Sequence, residues 1–266
     1  TTGPTTFVQT VKTGSGVKIL DDLKLNADTT FGDGDVSSQL GDGSADTIIL
    51  NGDIAATDGV TIGGDAQIIN SDGITISTTN SAISLASGST MDSSDTKTYG
   101  LTLSSGSGSI SLEGTIGGSD ALSGLTLTTT GGINLGGNIT LNDANLVFTD
   151  AVTLTAASTL SPGSGATTFS ETVDGAYDLS LGGTGNIIFS GAVGGITAIG
   201  DGVGVALAVT STGPTSFLST LATASGISSS ANTVFTGDVS VAAGDTGSTL
   251  DADVTLDGLT FRSDGA

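Results

Sequence analysis

Hydrophobic positions along this chain alternate with small polar ones over about three residues, then break at Gly, Asp or Ser. The phrase reads Val60-Thr61-Ile62, Ile74-Thr75-Ile76, Ile83-Ser84-Leu85, Leu101-Thr102-Leu103, Ile110-Ser111-Leu112, Leu125-Thr126-Leu127 and Ile133-Asn134-Leu135. It continues as Ile139-Thr140-Leu141, Val152-Thr153-Leu154, Leu179-Ser180-Leu181 and Val254-Thr255-Leu256. Alternation with a period of two is the signature of a half-buried strand, with the aliphatic pair turned inward and the hydroxyl or amide outward. The pattern therefore predicts a long series of very short strands. No segment carries a sustained apolar repeat at helical spacing, and almost no α-helix is expected.

Longer echoes lie on top of the strand phrase. The run from Gly3 to Val11 returns at Gly165 to Val173 and again at Gly213 to Leu221, each time with a Phe in its middle. Ala144 to Val152 reappears as Ala231 to Val239, and Ile110 to Gly118 as Ile187 to Gly195. Irregularly spaced echoes of this kind indicate internal duplication with corners of variable length. The expected fold is all-β: one continuous domain over residues 1–266, built as an elongated right-handed parallel β-solenoid of degenerate repeats. The alternative is a row of small β-sandwich modules, which would also give many short strands. Coils of roughly 20–25 residues stacked about 4.8 Å apart would make a rod on the order of 50–60 Å long. The polar stretch 87–98 reads as a protruding loop or hinge, or more plainly as a long corner.

Composition narrows this picture. The chain has 43 Gly and 3 Pro, and its 8 Phe and 2 Tyr leave a thin, aliphatic core as the expectation, which suits a solenoid. Cysteine is absent, which excludes disulfides and thiolate metal sites, and no stretch is long and apolar enough to cross a membrane as a helix. The first residues show neither an initiator Met nor a signal-peptide pattern, which reads as a processed form or a piece of a longer chain. A formal charge of −22 makes nucleic acid and anionic lipid surfaces poor partners and favours divalent cations. Only Glu113 and Glu171 are glutamates among the 27 acidic residues, so the excess of Asp also reflects its use in turns.

With no His and no Cys, triad-type nucleophilic catalysis and ordinary zinc sites have nothing to work with. Pairs of carboxylates could hydrolyse glycosides, but nearly every Asp sits in a turn context, and a non-enzymatic role is the expectation. A carbohydrate-active β-helix would instead show clustered Asp beside exposed Tyr99 or Tyr177. Candidate metal ligands are Asp33, Asp35, Asp42 and Asp46, in two Gly-Asp runs nine residues apart. They partly resemble the calcium-binding nonapeptide of repeats-in-toxin proteins, with Asp46 and Ile48 at the acidic and apolar positions and Ser44 in place of a Gly. That resemblance implies Ca2+, which accepts flexible cages of oxygen ligands. The plainer reading is two Asp-Gly turns with solvated carboxylates, as expected also for Asp21, Asp22, Asp251, Asp253 and Asp257.

Phrases such as Thr167-Thr168-Phe169, Ile187-Ile188-Phe189-Ser190-Gly191-Ala192-Val193-Gly194-Gly195 and Leu125-Thr126-Leu127-Thr128-Thr129-Thr130-Gly131-Gly132-Ile133 look like the repeat regions of very large bacterial surface proteins. These are the filamentous-haemagglutinin-like and autotransporter-associated β-strand repeat proteins. The resemblance implies a secreted solenoid at the extracellular cell surface that acts as an adhesive or structural fibre, its partners being neighbouring repeats, copies of itself and surface glycans. A second expectation is a self-assembling filament, sheath or surface-layer subunit, joined through strand complementation by the segments Thr5 to Val11 and Val254 to Phe261.

Overall fold

The computed structural model describes residues 5–8, 11–13, 17–19, 23–31, 37–42, 46–94, 98–242, 248–257 and 259–263. The chain divides into two compact units, Thr1–Asn142 and Asp143–Ala266. Each is a right-handed parallel β-solenoid, and no helix occurs among the described residues.

In the N-terminal unit every third strand pairs with the one before it, so that three parallel sheets run along the stack of coils. The first sheet begins Thr5–Phe7, Leu23–Leu25, Thr47–Leu50, Asp65–Ile68, the second Val11–Thr13, Thr29–Phe31, Ile54–Ala56, Ile74–Thr78, and the third Lys18–Ile19, Ser38–Leu40, Val60–Ile62, Ile83–Leu85. All the alternating phrases lie in strands, with Leu141 of the Ile139 phrase held by a bridge to Leu122. Their inward residues stack on their counterparts. Val60, Ile83, Ile110 and Ile133 form one buried column of the third sheet, and Ile62, Leu85, Leu112 and Leu135 form the next. Each such side chain contributes roughly 1.5–3 kcal/mol by leaving water. Outside, Asn134 Nδ2 donates to Ser111 Oγ of the coil below at 3.0 Å.

Coil lengths vary more than expected. Ile48 pairs with Ala66, 18 residues on, and Ala66 with Met91, 25 residues on. The stretch 87–98 is not a loop throughout, because Thr90–Ser93 is a strand of the first sheet with Met91, Asp92 and Ser93 buried. Its polar side chains are tolerated there because they are bonded: Asp92 Oδ1 accepts the Ser119 and Asp120 amides at 3.0 and 3.4 Å, and Ser93 Oγ accepts the Tyr99 amide at 2.8 Å.

The C-terminal unit repeats the scheme with one difference on its third side. Between Val173–Asp174 and Leu221–Thr223 that side is held by isolated bridges, Val173 to Val193, Val193 to Leu221 and Ile199 to Thr223. Its second sheet departs from the expected aliphatic core. Phe148, Phe169, Phe189, Phe217 and Phe235 occupy one inward column in register, all at most 2% exposed. Successive ring centroids lie 4.7–5.0 Å apart with planes within 11° of parallel. That separation is the spacing between neighbouring strands, so the backbone ladder sets the stack. The echoed phrases are not all equivalent in space. Phe169 and Phe217 sit in the second sheet, whereas Phe7 of the matching phrase belongs to the first sheet, in the strand paired with Leu23–Leu25.

Candidate functional site

Of the four predicted metal ligands, Asp33 and Asp35 lie outside the described residues. Asp42 and Asp46 are close to each other, the Asp42 amide donating to Asp46 Oδ2 at 3.2 Å. Among the described residues no group of three or more His, Cys, Asp or Glu is gathered as a metal site would require. Asp251, Asp253 and Asp257 are exposed as expected, and Asp21 and Asp22 lie outside the described residues.

Many other carboxylates are bonded in a way the turn chemistry of Asp did not suggest. Rather than capping their own turns, they accept backbone N–H groups from the following coil. Asp28 Oδ1 accepts from Asp53, Asp53 Oδ1 from Thr75, Asp143 Oδ1 from Ser164 and Asp238 Oδ1 from Thr260, at 2.6–3.0 Å. Asn80 and Asn145 do the same with their amide oxygens toward Ser107 and Ala166. The physical need is plain: corner amides face away from the strand ladders, and an orphaned backbone donor is costly.

Asp174 shows the device at its most buried. It is 9% exposed, and its Oδ1 accepts both the Ile196 and Thr197 amides, at 2.7 and 3.1 Å. These bonds hold the stretch where the third side has no continuous strand. Asp174→Ala is expected to cost about 2–3 kcal/mol, the range for hydrogen bonds to a charged group whose partners are then left unmade. Asp174→Asn retains the Oδ1 acceptor and should cost less than half of that; thermal unfolding of both variants by circular dichroism checks the ranking.

Asp178 lies at a neighbouring corner, where its Oδ1 accepts the Asp201 amide at 3.4 Å. Burial pushes its carboxyl above the ordinary value of 3.8, the Asp201 amide opposes that rise, and the Asp201 carboxylate adds to it. A carboxyl raised in the folded state binds its proton more tightly there than in the unfolded chain. Its ionisation therefore works against folding as pH climbs through the carboxylate range.

A groove of about 380 Å³ lies on the outer surface of the second sheet in the N-terminal unit. Its lining includes Asp28, Asp53, Asn70, Asp72, Gly73, Thr75, Gly100, Thr102, Gly124 and Thr126. The register explains the geometry. Thr75 pairs with Thr102 and Thr102 with Thr126. Extending the pairing of Ile54 with Ile76, and of Thr29 with Ile54, by one step puts Asp53 opposite Thr75 and Asp28 opposite Asp53. One outward row thus carries two carboxylates followed by three threonine hydroxyls. Two residues before it, a second outward row consists of Gly73, Gly100 and Gly124, which have no side chains and form the floor.

The groove is spread over several coils, and no single segment of the sequence marks it. Its signal was present as a run of Gly, aliphatic, Thr, aliphatic that recurs at 73–76, 100–103 and 124–127. Nothing in the run itself says that the three copies stack on one face. Tyr99 and Tyr177, weighed as markers of carbohydrate chemistry, do not line it; Tyr177 is 42% exposed in the C-terminal unit. Compared with protein-family models, with curated proteins and with solved structures, the chain gives no match.

Proposed function

We propose that the chain is a structural and adhesive component of an extracellular bacterial surface, a segment of a fibre with no catalytic role. The observation that supports this reading is the repetitive stack of parallel coils in each unit, and the last coil of the C-terminal unit shows the surface it offers to a partner. Its strands Thr249–Leu250, Val254–Leu256 and Phe261–Ser263 each close a sheet with one described neighbour. Val254, Leu256 and Phe261 remain 38%, 48% and 37% exposed, although the equivalent positions one coil earlier are buried. A parallel sheet edge with apolar side chains is a template for another coil.

The same edge supports a second reading, a self-assembling subunit in which copies join strand to strand. In the N-terminal unit, Thr5–Phe7 ends the first sheet with Leu23–Leu25 as its described neighbour. Negative-stain electron microscopy of the purified chain separates these readings: long uniform filaments are expected of a homopolymer, isolated short particles of a fibre segment. Imaging in millimolar calcium and again with chelator tests the Ca2+ role assigned to Asp33, Asp35, Asp42 and Asp46. Antibody labelling of intact producing cells, with and without external protease, tests the location, and labelling only after lysis would overturn it.

A further inference from the structure

We propose that the groove on the second sheet of the N-terminal unit is a binding site for an extended, non-anionic glycan. This deepens the adhesive reading and rests on it for its biological setting. Two of the three floor glycines lie within strands. Gly73 has φ of +78° and its backbone requires glycine, but Gly100 and Gly124 are in strands and outside the left-handed region. A Cβ at Gly100 would meet atoms no closer than 3.7 Å, and one at Gly124 would meet nothing within 4 Å. Glycine is unfavourable in a strand, where a β-branched residue fits better. Packing therefore does not demand glycine at these two positions, and its effect there is to keep the floor open.

The wall decides the ligand. Asp53 Oδ1 is bonded to the Thr75 amide, so the carboxylate is fixed beside the threonines of the row while its residue stays exposed. Thr75, Thr102 and Thr126 follow in register at the strand spacing of about 4.8 Å, each with a hydroxyl that both donates and accepts. Acceptors and hydroxyls repeating along a line match a linear polyol whose sugar units recur at a comparable step. A chain carrying carboxylates or sulfates would meet Asp53 and a molecule of net charge −22, and is disfavoured on electrostatic grounds.

The test is calorimetric titration of the full chain with three probes: cello-oligosaccharides, chitosan oligosaccharides and oligogalacturonates. The expected result is saturable binding of an uncharged or amino probe, at least tenfold tighter than of oligogalacturonate. Gly124→Val should fill the floor and weaken that binding at least tenfold with the melting temperature unchanged or raised. Thr102→Val, which removes only a hydroxyl, gives an independent second variant and should also weaken it. No binding of either non-anionic probe, preference for oligogalacturonate, or binding untouched by both substitutions overturns the proposal. A negative result leaves surface display and assembly, read by labelling and microscopy, standing on their own.

Discussion

Phe189→Ala is expected to lower the stability of the C-terminal unit by about 4–6 kcal/mol, the largest effect of any single side-chain truncation in it. Truncating a buried Phe costs roughly 3–5 kcal/mol through lost transfer energy and the cavity left behind. Phe189 in addition stacks on both sides, with Phe169 at 4.7 Å and Phe217 at 4.8 Å, and each aromatic contact adds about 0.5–1.5 kcal/mol. The neighbours cannot collapse into the gap, because ring separation is set by the strand ladder. Phe261→Ala is the control: Phe261 is 37% exposed and meets Phe235 edge-on at 6.5 Å, so about 1 kcal/mol or less is expected. Urea unfolding followed by circular dichroism gives both values. Equal costs would mean that the phenylalanine column does not carry the stack.

Gly137→Ala is expected to be nearly as damaging in the N-terminal unit, at about 3 kcal/mol or more, although it adds a single methyl group. A Cβ at this position would lie 1.7 Å from the Gly114 carbonyl oxygen and 2.5 Å from its carbon. Both are backbone atoms and cannot swing aside, so the coils would have to part. Parting breaks the bonds that the Gly136 and Gly137 amides donate to the Leu112 carbonyl at 2.9 and 2.8 Å. Overpacking of this kind costs about 1–3 kcal/mol even where side chains can adjust. Gly124→Ala is the matched control and should be neutral or stabilising by up to about 1 kcal/mol, since alanine loses less conformational freedom on folding. Comparison of the two melting curves checks the prediction, and similar curves would contradict the close approach of these coils.

Much of the fold is legible because its rule is local. Alternation over three residues assigns Val60-Thr61-Ile62 or Leu179-Ser180-Leu181 to strands whatever stacks against them, and the surrounding Gly and Asp mark the turns. Strands that break the rule were not legible: Thr90–Ser93 is polar, and its burial depends on amides of Ser119 and Asp120 that arrive a coil later. The phenylalanine column was hidden for a related reason. Phe148, Phe169, Phe189, Phe217 and Phe235 recur at uneven intervals, because the corners between them differ in length, and only register aligns them.

The candidate groove was still less legible, since it is made of positions that share a face rather than a segment. Gly124 and Gly137 look alike in the sequence, yet one has open space above it and the other a carbonyl oxygen. The sequence alone determined that this protein is all-β, repetitive, strongly anionic and free of cysteine and histidine chemistry, because those properties follow from residue types and nearest-neighbour order. The tertiary structure decided which phrases stack, where carboxylates cap the next coil, which glycines are obligatory and where a row of hydroxyls faces a bare floor. Each of those depends on contacts between residues some twenty positions apart, whose pairing is set by the lengths of corners that carry no periodic signal.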